Sequence, residues 1–173
     1  MVIILFIFGL AFGSFSNVII YRVPKEISLI KPNSFCTKCN SEIKWIHKIP
    51  IISWILLKGK CSYCQSKISY LYPLNEFFVS LIFIVNGLSL GLNENINNAF
   101  NLNIENNLIS LSIFSLLIYI IAIIDIKNLI IPNKVIVFGT CFAVLNAITI
   151  SILKNDYYYF LNRLFSGILG FLF

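Results

Sequence analysis

MVIILFIFGLAFGSFSNVIIY, residues 1–21, contains no charged side chain. A bilayer core of about 30 Å takes about 20 residues of α-helix at 1.5 Å each, so this stretch is long enough to span it. It lacks the positively charged start of a secretory signal peptide and reads as a retained first span. Working outward, apolar runs return at Leu74–Leu92, Leu108–Ile124 and Val135–Leu153, and a fifth begins near Phe160 and runs to Phe173, where the chain is expected to stop inside a helix. Of the 173 residues, 58% are hydrophobic and 12% are charged. Soluble domains carry roughly 45–50% apolar and about 25% charged residues. This composition excludes disorder, a basic nucleic-acid-binding domain and a typical cytosolic enzyme. The expected fold is all-α, a polytopic membrane helix bundle divided into a first helix (1–21), a loop (22–72) and a membrane core (73–173). No repeat of 20–50 residues is evident. Asn is frequent without an evident role.

Charge sets the expected orientation. Nine of the thirteen Lys and Arg lie between Arg22 and Tyr72, against Glu26 and Glu42. The segment Asn93–Asn107 has none, is rich in Asn, and is expected to be a mobile loop on the opposite side. Lys127 and Lys134 mark the third loop. Positive loops face the cytoplasm, which places the 22–72 insert and the third loop inside and the N-terminus outside. Tyr157–Tyr159 then reads as an interfacial anchor. The basic insert suits anionic lipid headgroups, at about 1 kcal/mol per residue near the surface.

Within the insert, Cys36-x2-Cys39 and Cys61-x2-Cys64 are separated by 21 residues. Tetrahedral zinc takes four soft ligands, and each Cys-x-x-Cys knuckle offers two. Nearby Lys38, Lys60 and Lys67 favour thiolates. Two disulfides are the competing arrangement, disfavoured in a reducing compartment. A redox role for either pair is a further alternative. His47 lies between the pairs as a substitute ligand that the set does not need. A loop this short builds little core, so a metal would supply much of its folding energy. The apolar run Ile49–Leu57, with Trp45 upstream, is either the core of this module or a patch on the membrane or a substrate. Cys141, in the fourth span, is expected to be a small buried residue.

Only two aspartates occur, Asp125 and Asp156. Asp125 ends an apolar run, where an ionisable group is either functional or a boundary residue reaching water. Hydrolysis by a carboxylate pair needs two such groups on one side, sharing a proton. Asp156 is expected on the opposite side, roughly 30 Å away. Glu76 is on the right side, but is expected to be an end-of-helix charge near the N-terminal dipole.

These residues resemble a family. Gly13-Ser14-Phe15-Ser16-Asn17-Val18, with Arg22 and Pro24, resembles the first motif of bacterial type IV prepilin leader peptidase/N-methyltransferases. The two Cys pairs, Ile49–Trp54, Gly59-Lys60-Cys61, Tyr72–Glu76, and Ile124-Asp125 followed by Ile131-Pro132-Asn133 continue the match. The resemblance implies a membrane aspartic peptidase that removes the leader of prepilins or pseudopilins and methylates the new N-terminus from S-adenosylmethionine. It implies Asp125 as the first catalytic aspartate, and Cys36, Cys39, Cys61 and Cys64 as zinc ligands. The family's G-x-G-D motif does not occur in the 173 residues, so the chain reads as C-terminally truncated relative to the family. No glycine-rich strand–loop–helix locates a methyl-donor site. An inactive membrane adaptor, using the zinc module to hold pilin-like or secretion partners, is the alternative function. No nucleic-acid partner is expected.

Overall fold

The computed structural model describes residues 1–90 and 102–154, with Tyr158 and Leu161. Four long helices dominate: α1 (Val2–Arg22), α3 (Leu71–Ser89), α4 (Leu102–Asn128) and α5 (Asn133–Lys154), with the short α2 (Ile52–Leu56) inside the insert. All four long helices contain stretches long and apolar enough to cross a membrane. Their outward faces are apolar and exposed, as at Ile3, Phe8, Phe78, Val85, Phe114 and Phe138, which suits a lipid solvent.

In lipid, helices associate by close packing and interhelical hydrogen bonds rather than by the hydrophobic effect. The α1–α3 pair uses both. Gly9 and Gly13 stand four residues apart on one face of α1, where they let the backbone of α3 approach. A Cβ on Gly13 would lie 2.6 Å from the Glu76 Cα, and one on Gly9 would collide with Ser80. Asn17 donates to the Tyr72 carbonyl at 3.1 Å and accepts from Asn75 Nδ2 at 2.8 Å. Tyr119 of α4 donates to Asn75 Oδ1 at 2.8 Å, completing a buried polar chain across three helices. Asn86 reaches Ser115 at 3.3 Å, and Asn146 of α5 bonds Ser110 of α4. The Asn side chains thus act as interhelical ties. Around them Ile20, Val79, Phe83, Leu116, Ile120 and Ile124 form the apolar core where α1, α3 and α4 meet.

Several expectations are corrected. Helix α3 begins at Leu71 rather than Leu74, and α4 begins at Leu102, so residues 102–107 of the expected Asn-rich loop are helical. A helix satisfies its own backbone hydrogen bonds, so a polar stretch of sequence need not end it. Helix α4 also continues past Asp125 to Asn128. Cys141 is exposed rather than buried, because α5 turns little of its surface toward the bundle. The fifth span and Asp156 lie outside the described residues; Tyr158, of the expected aromatic anchor, is exposed.

Candidate metal centre and the membrane-edge carboxylates

The insert contains a repeat that the sequence reading missed. Residues 34–43 (SFCTKCNSEI) and 59–68 (GKCSYCQSKI) superimpose at an offset of 25, with four identical positions. In the first copy the Cys36 N–H donates to the Ser41 carbonyl and the Asn40 N–H to Cys36, both at 2.9 Å. In the second, the Cys61 N–H donates to Ser66 at 2.9 Å and the Gln65 N–H to Cys61 at 3.0 Å. The residue after each second Cys takes positive φ, 55° at Asn40 and 57° at Gln65. Single β-bridges close both copies, Phe35 with Glu42 and Lys60 with Lys67. Each knuckle points its two sulfurs to one side, and two knuckles facing each other make a four-sulfur cage.

All four Sγ atoms lie within 4.8 Å of one another, and Cys36 Sγ stands 3.9 Å from Cys64 Sγ. A tetrahedral metal with four bonds of about 2.3 Å places its sulfurs about 3.8 Å apart, so the donor set fits zinc in chemistry and size. His47 is not part of the cluster. Backbone N–H groups of Cys39 and Lys38 lower the Cys36 thiol to about 6. The Ser66 hydroxyl, 3.1 Å from Cys64 Sγ, and its backbone lower Cys64. At Cys61 the Cys64 and Tyr63 N–H groups pull down, but burial and the neighbouring thiols prevail and raise it. The lowered thiols, Cys36 in the first knuckle and Cys64 in the second, suit the capture of a cation.

Two contacts hold the insert to the helices, through Arg22 and Glu76, and a third, at Trp54, braces the insert itself. Arg22, 4% exposed at the end of α1, donates to the carbonyls of Ser28, Leu29, Pro32 and Asn33 at 2.8–3.3 Å. Its guanidinium also stands 5.8 Å from the Phe35 ring, so one side chain folds the loop leading to the first knuckle. The planar fork supplies the several donors that a lysine could not. Trp54 donates to the Ile68 carbonyl at 3.2 Å and packs on Gly59, whose φ of +64° and contact with the indole leave no room for a Cβ. Glu76 accepts the Ile51 N–H at 2.7 Å, and Ile51 holds a φ of 58° that a β-branched residue rarely adopts. Glu76 is therefore not a solvated end-of-helix charge: it is buried, beyond the first turn of α3, and fixes the insert from below. The apolar run divides between both expectations: Trp54 is in the module, while Ile52, Ile55 and Leu56 are exposed, as is Trp45.

Asp125 is exposed, one turn before the end of α4. The neighbouring Lys127 and Asn128 line a cavity of about 230 Å³ together with Lys25, Ser69 and Leu71. That cavity places the Asp125 end of α4 beside the two junctions of the insert, at one end of the bundle.

Fold and site together define a class: a polytopic helical protein whose first two apolar helices are joined by a paired-knuckle, four-thiol insert. Residues 7–90 match the family model of the Bacterial Peptidase A24 N-terminal domain. The prepilin leader peptidase/N-methyltransferase of Bacillus subtilis is 34% identical over 138 residues, covering 80% of this chain and 51% of the relative. The enzymes of that name from Myxococcus xanthus and Vibrio cholerae are 42% and 44% identical over 81 and 87 residues, covering 47% and 46% of this chain and 24% and 33% of theirs. The chain carries a Bacterial Peptidase A24 N-terminal domain and is similar to the bacterial prepilin leader peptidase/N-methyltransferases, and it spans about half the length of the Bacillus relative. No solved structure matches it.

Proposed function

We propose that this chain acts in the processing of type IV prepilins or pseudopilins at the cytoplasmic membrane face, removing the basic leader and methylating the new amino terminus. The observation that supports the reading is that Lys127 and Asn128, just after Asp125 at the end of α4, lie beside the insert junctions, in a chain similar over 138 residues to a prepilin leader peptidase/N-methyltransferase. Exposed at that end, Asp125 is suited to be one carboxylate of an aspartic pair. In such a pair one carboxylate takes a proton from water while the other, protonated, polarises the scissile carbonyl. The second member is assigned to no described residue. Cys36, Cys39, Cys61 and Cys64 hold a structural zinc, and the methyl group would come from S-adenosylmethionine.

The test is leader removal in membranes of a strain without its own prepilin peptidase. The chain is co-expressed with the part of the Bacillus subtilis relative that lies beyond the match. The expected result is a size shift of a prepilin with a basic leader, lost in Asp125→Asn. Cleavage that persists in Asp125→Asn contradicts the catalytic assignment. The exposed apolar residues Trp45, Ile46, Ile55 and Leu56 favour a second reading, an adaptor that binds pilin-like or secretion partners. Capture of a pseudopilin without processing, lost on Leu56→Glu, would support it.

A further inference from the structure

Between α1, α3 and the insert lies a cavity of about 390 Å³, within the size range of small-molecule sites. Glu76 borders it from α3, 8% exposed. Its carboxylate accepts the Ile51 N–H at 2.7 Å, with the Ser14 hydroxyl as a second donor. Both donors are neutral. Arg22 borders the same space, but its guanidinium is committed to four backbone carbonyls. Lys38, Lys48 and Lys67 also line it, as exposed side chains, and His47 is half-buried. Among the described residues no cation forms an ion pair with Glu76.

A buried carboxylate without a counter-charge is costly, and a cavity beside it gives a mobile counter-charge room to enter. The rings of Tyr21, Trp54 and Tyr72 line the same space and offer aromatic faces to a cation. We infer that Glu76 anchors an organic cation, an ammonium or a sulfonium, bound in this cavity. The exposed lysines then suit a carboxylate on the same ligand, so the site favours an amino-acid-like zwitterion. The inference deepens the methyl-transfer reading and rests on it for the choice of probes. That chemistry supplies two such cations, the sulfonium of the methyl donor and the free amino terminus of the cut substrate. The knuckles contribute Cys36 and Cys61 to the cavity wall, so the metal centre orders its roof.

The test is calorimetric binding to the whole chain in nanodiscs, parent against Glu76→Gln, which keeps an oxygen acceptor for the Ile51 N–H and removes the charge. One probe pair is S-adenosylmethionine and S-adenosylhomocysteine, which differ in charge at sulfur. The other is a peptide with a free amino-terminal Phe and its N-acetyl form. In at least one pair the parent should prefer the cation by about tenfold or more, and Glu76→Gln should lose that preference. Loss in the first pair assigns the sulfonium, and loss in the second assigns the amino terminus. If the parent binds the cations and Glu76→Gln binds them equally, the role of Glu76 is wrong while the methyl-transfer reading stands. If the parent prefers neither cation, the inference falls outright. Should Glu76→Gln fail to fold, carbodiimide labelling of Glu76 in the parent replaces it. A cationic probe should slow labelling about tenfold relative to its neutral counterpart, and equal rates overturn the inference.

Discussion

Gly13→Ala tests how α1 and α3 are held together. The added methyl would stand 2.6 Å from the Glu76 Cα and 3.0 Å from its carbonyl oxygen. Carbon atoms settle at about 3.5–4.0 Å, so the two helices must part by about 1 Å at this level. The Asn75–Asn17 hydrogen bond, one turn along α1 at 2.8 Å, would open beyond hydrogen-bonding range. Overpacking costs about 1–3 kcal/mol, and an interhelical hydrogen bond in a membrane averages about 0.6 kcal/mol. Together the expected loss is about 2–4 kcal/mol. Unfolding in mixed micelles with rising dodecyl sulfate measures it, with Phe15→Ala, on the exposed face of α1, as the control. A Gly13→Ala protein within about 0.5 kcal/mol of the parent would refute the close-approach argument.

Arg22→Lys should loosen residues 28–33, because one ammonium cannot reach four carbonyls. Limited proteolysis should cut this segment faster, while Lys25→Arg, at a side chain stacked 3.9 Å over Tyr21, leaves it unchanged. Tyr119→Phe removes one end of the polar chain and should cost about 0.6 kcal/mol in the same micelle assay. In the metal-free protein, Cys36 has a folded value of about 6 against an ordinary 9.0. A depressed acid stabilises the fold above its unfolded value and loses that contribution as pH falls toward the folded value. The metal-free insert should therefore lose stability between about pH 9 and pH 6, with thiolate absorbance falling near pH 6 and that step missing in Cys36→Ser.

The membrane class was legible because uncharged length is a one-dimensional signal: residues 1–21 need no partner to be read. The two Cys pairs were legible as a metal pattern because spacing alone lets a knuckle present two sulfurs. The repeat behind them was not, since ten residues with four identities are lost without the shared turn at Asn40 and Gln65. Gly9-x3-Gly13 was readable as a close-packing motif but was passed over within the family motif that overlaps it. Glu76 was misread because its position near a helix start suggests solvent. Only the folding of the insert over α3 buries it and brings Ile51 to it. The Asn ties have no sequence signature at all, because each needs a partner 29 to 58 residues away.

The two knuckles border the cavity beside Glu76, and their four sulfurs are close enough together to share one tetrahedral metal. X-ray absorption at the zinc edge of the purified chain tests this most directly. One zinc per chain, with four sulfur neighbours at about 2.3 Å, is the expected result. Metal-free protein with its Cys pairs oxidised, or a shell of three sulfurs and one nitrogen from His47, would contradict it.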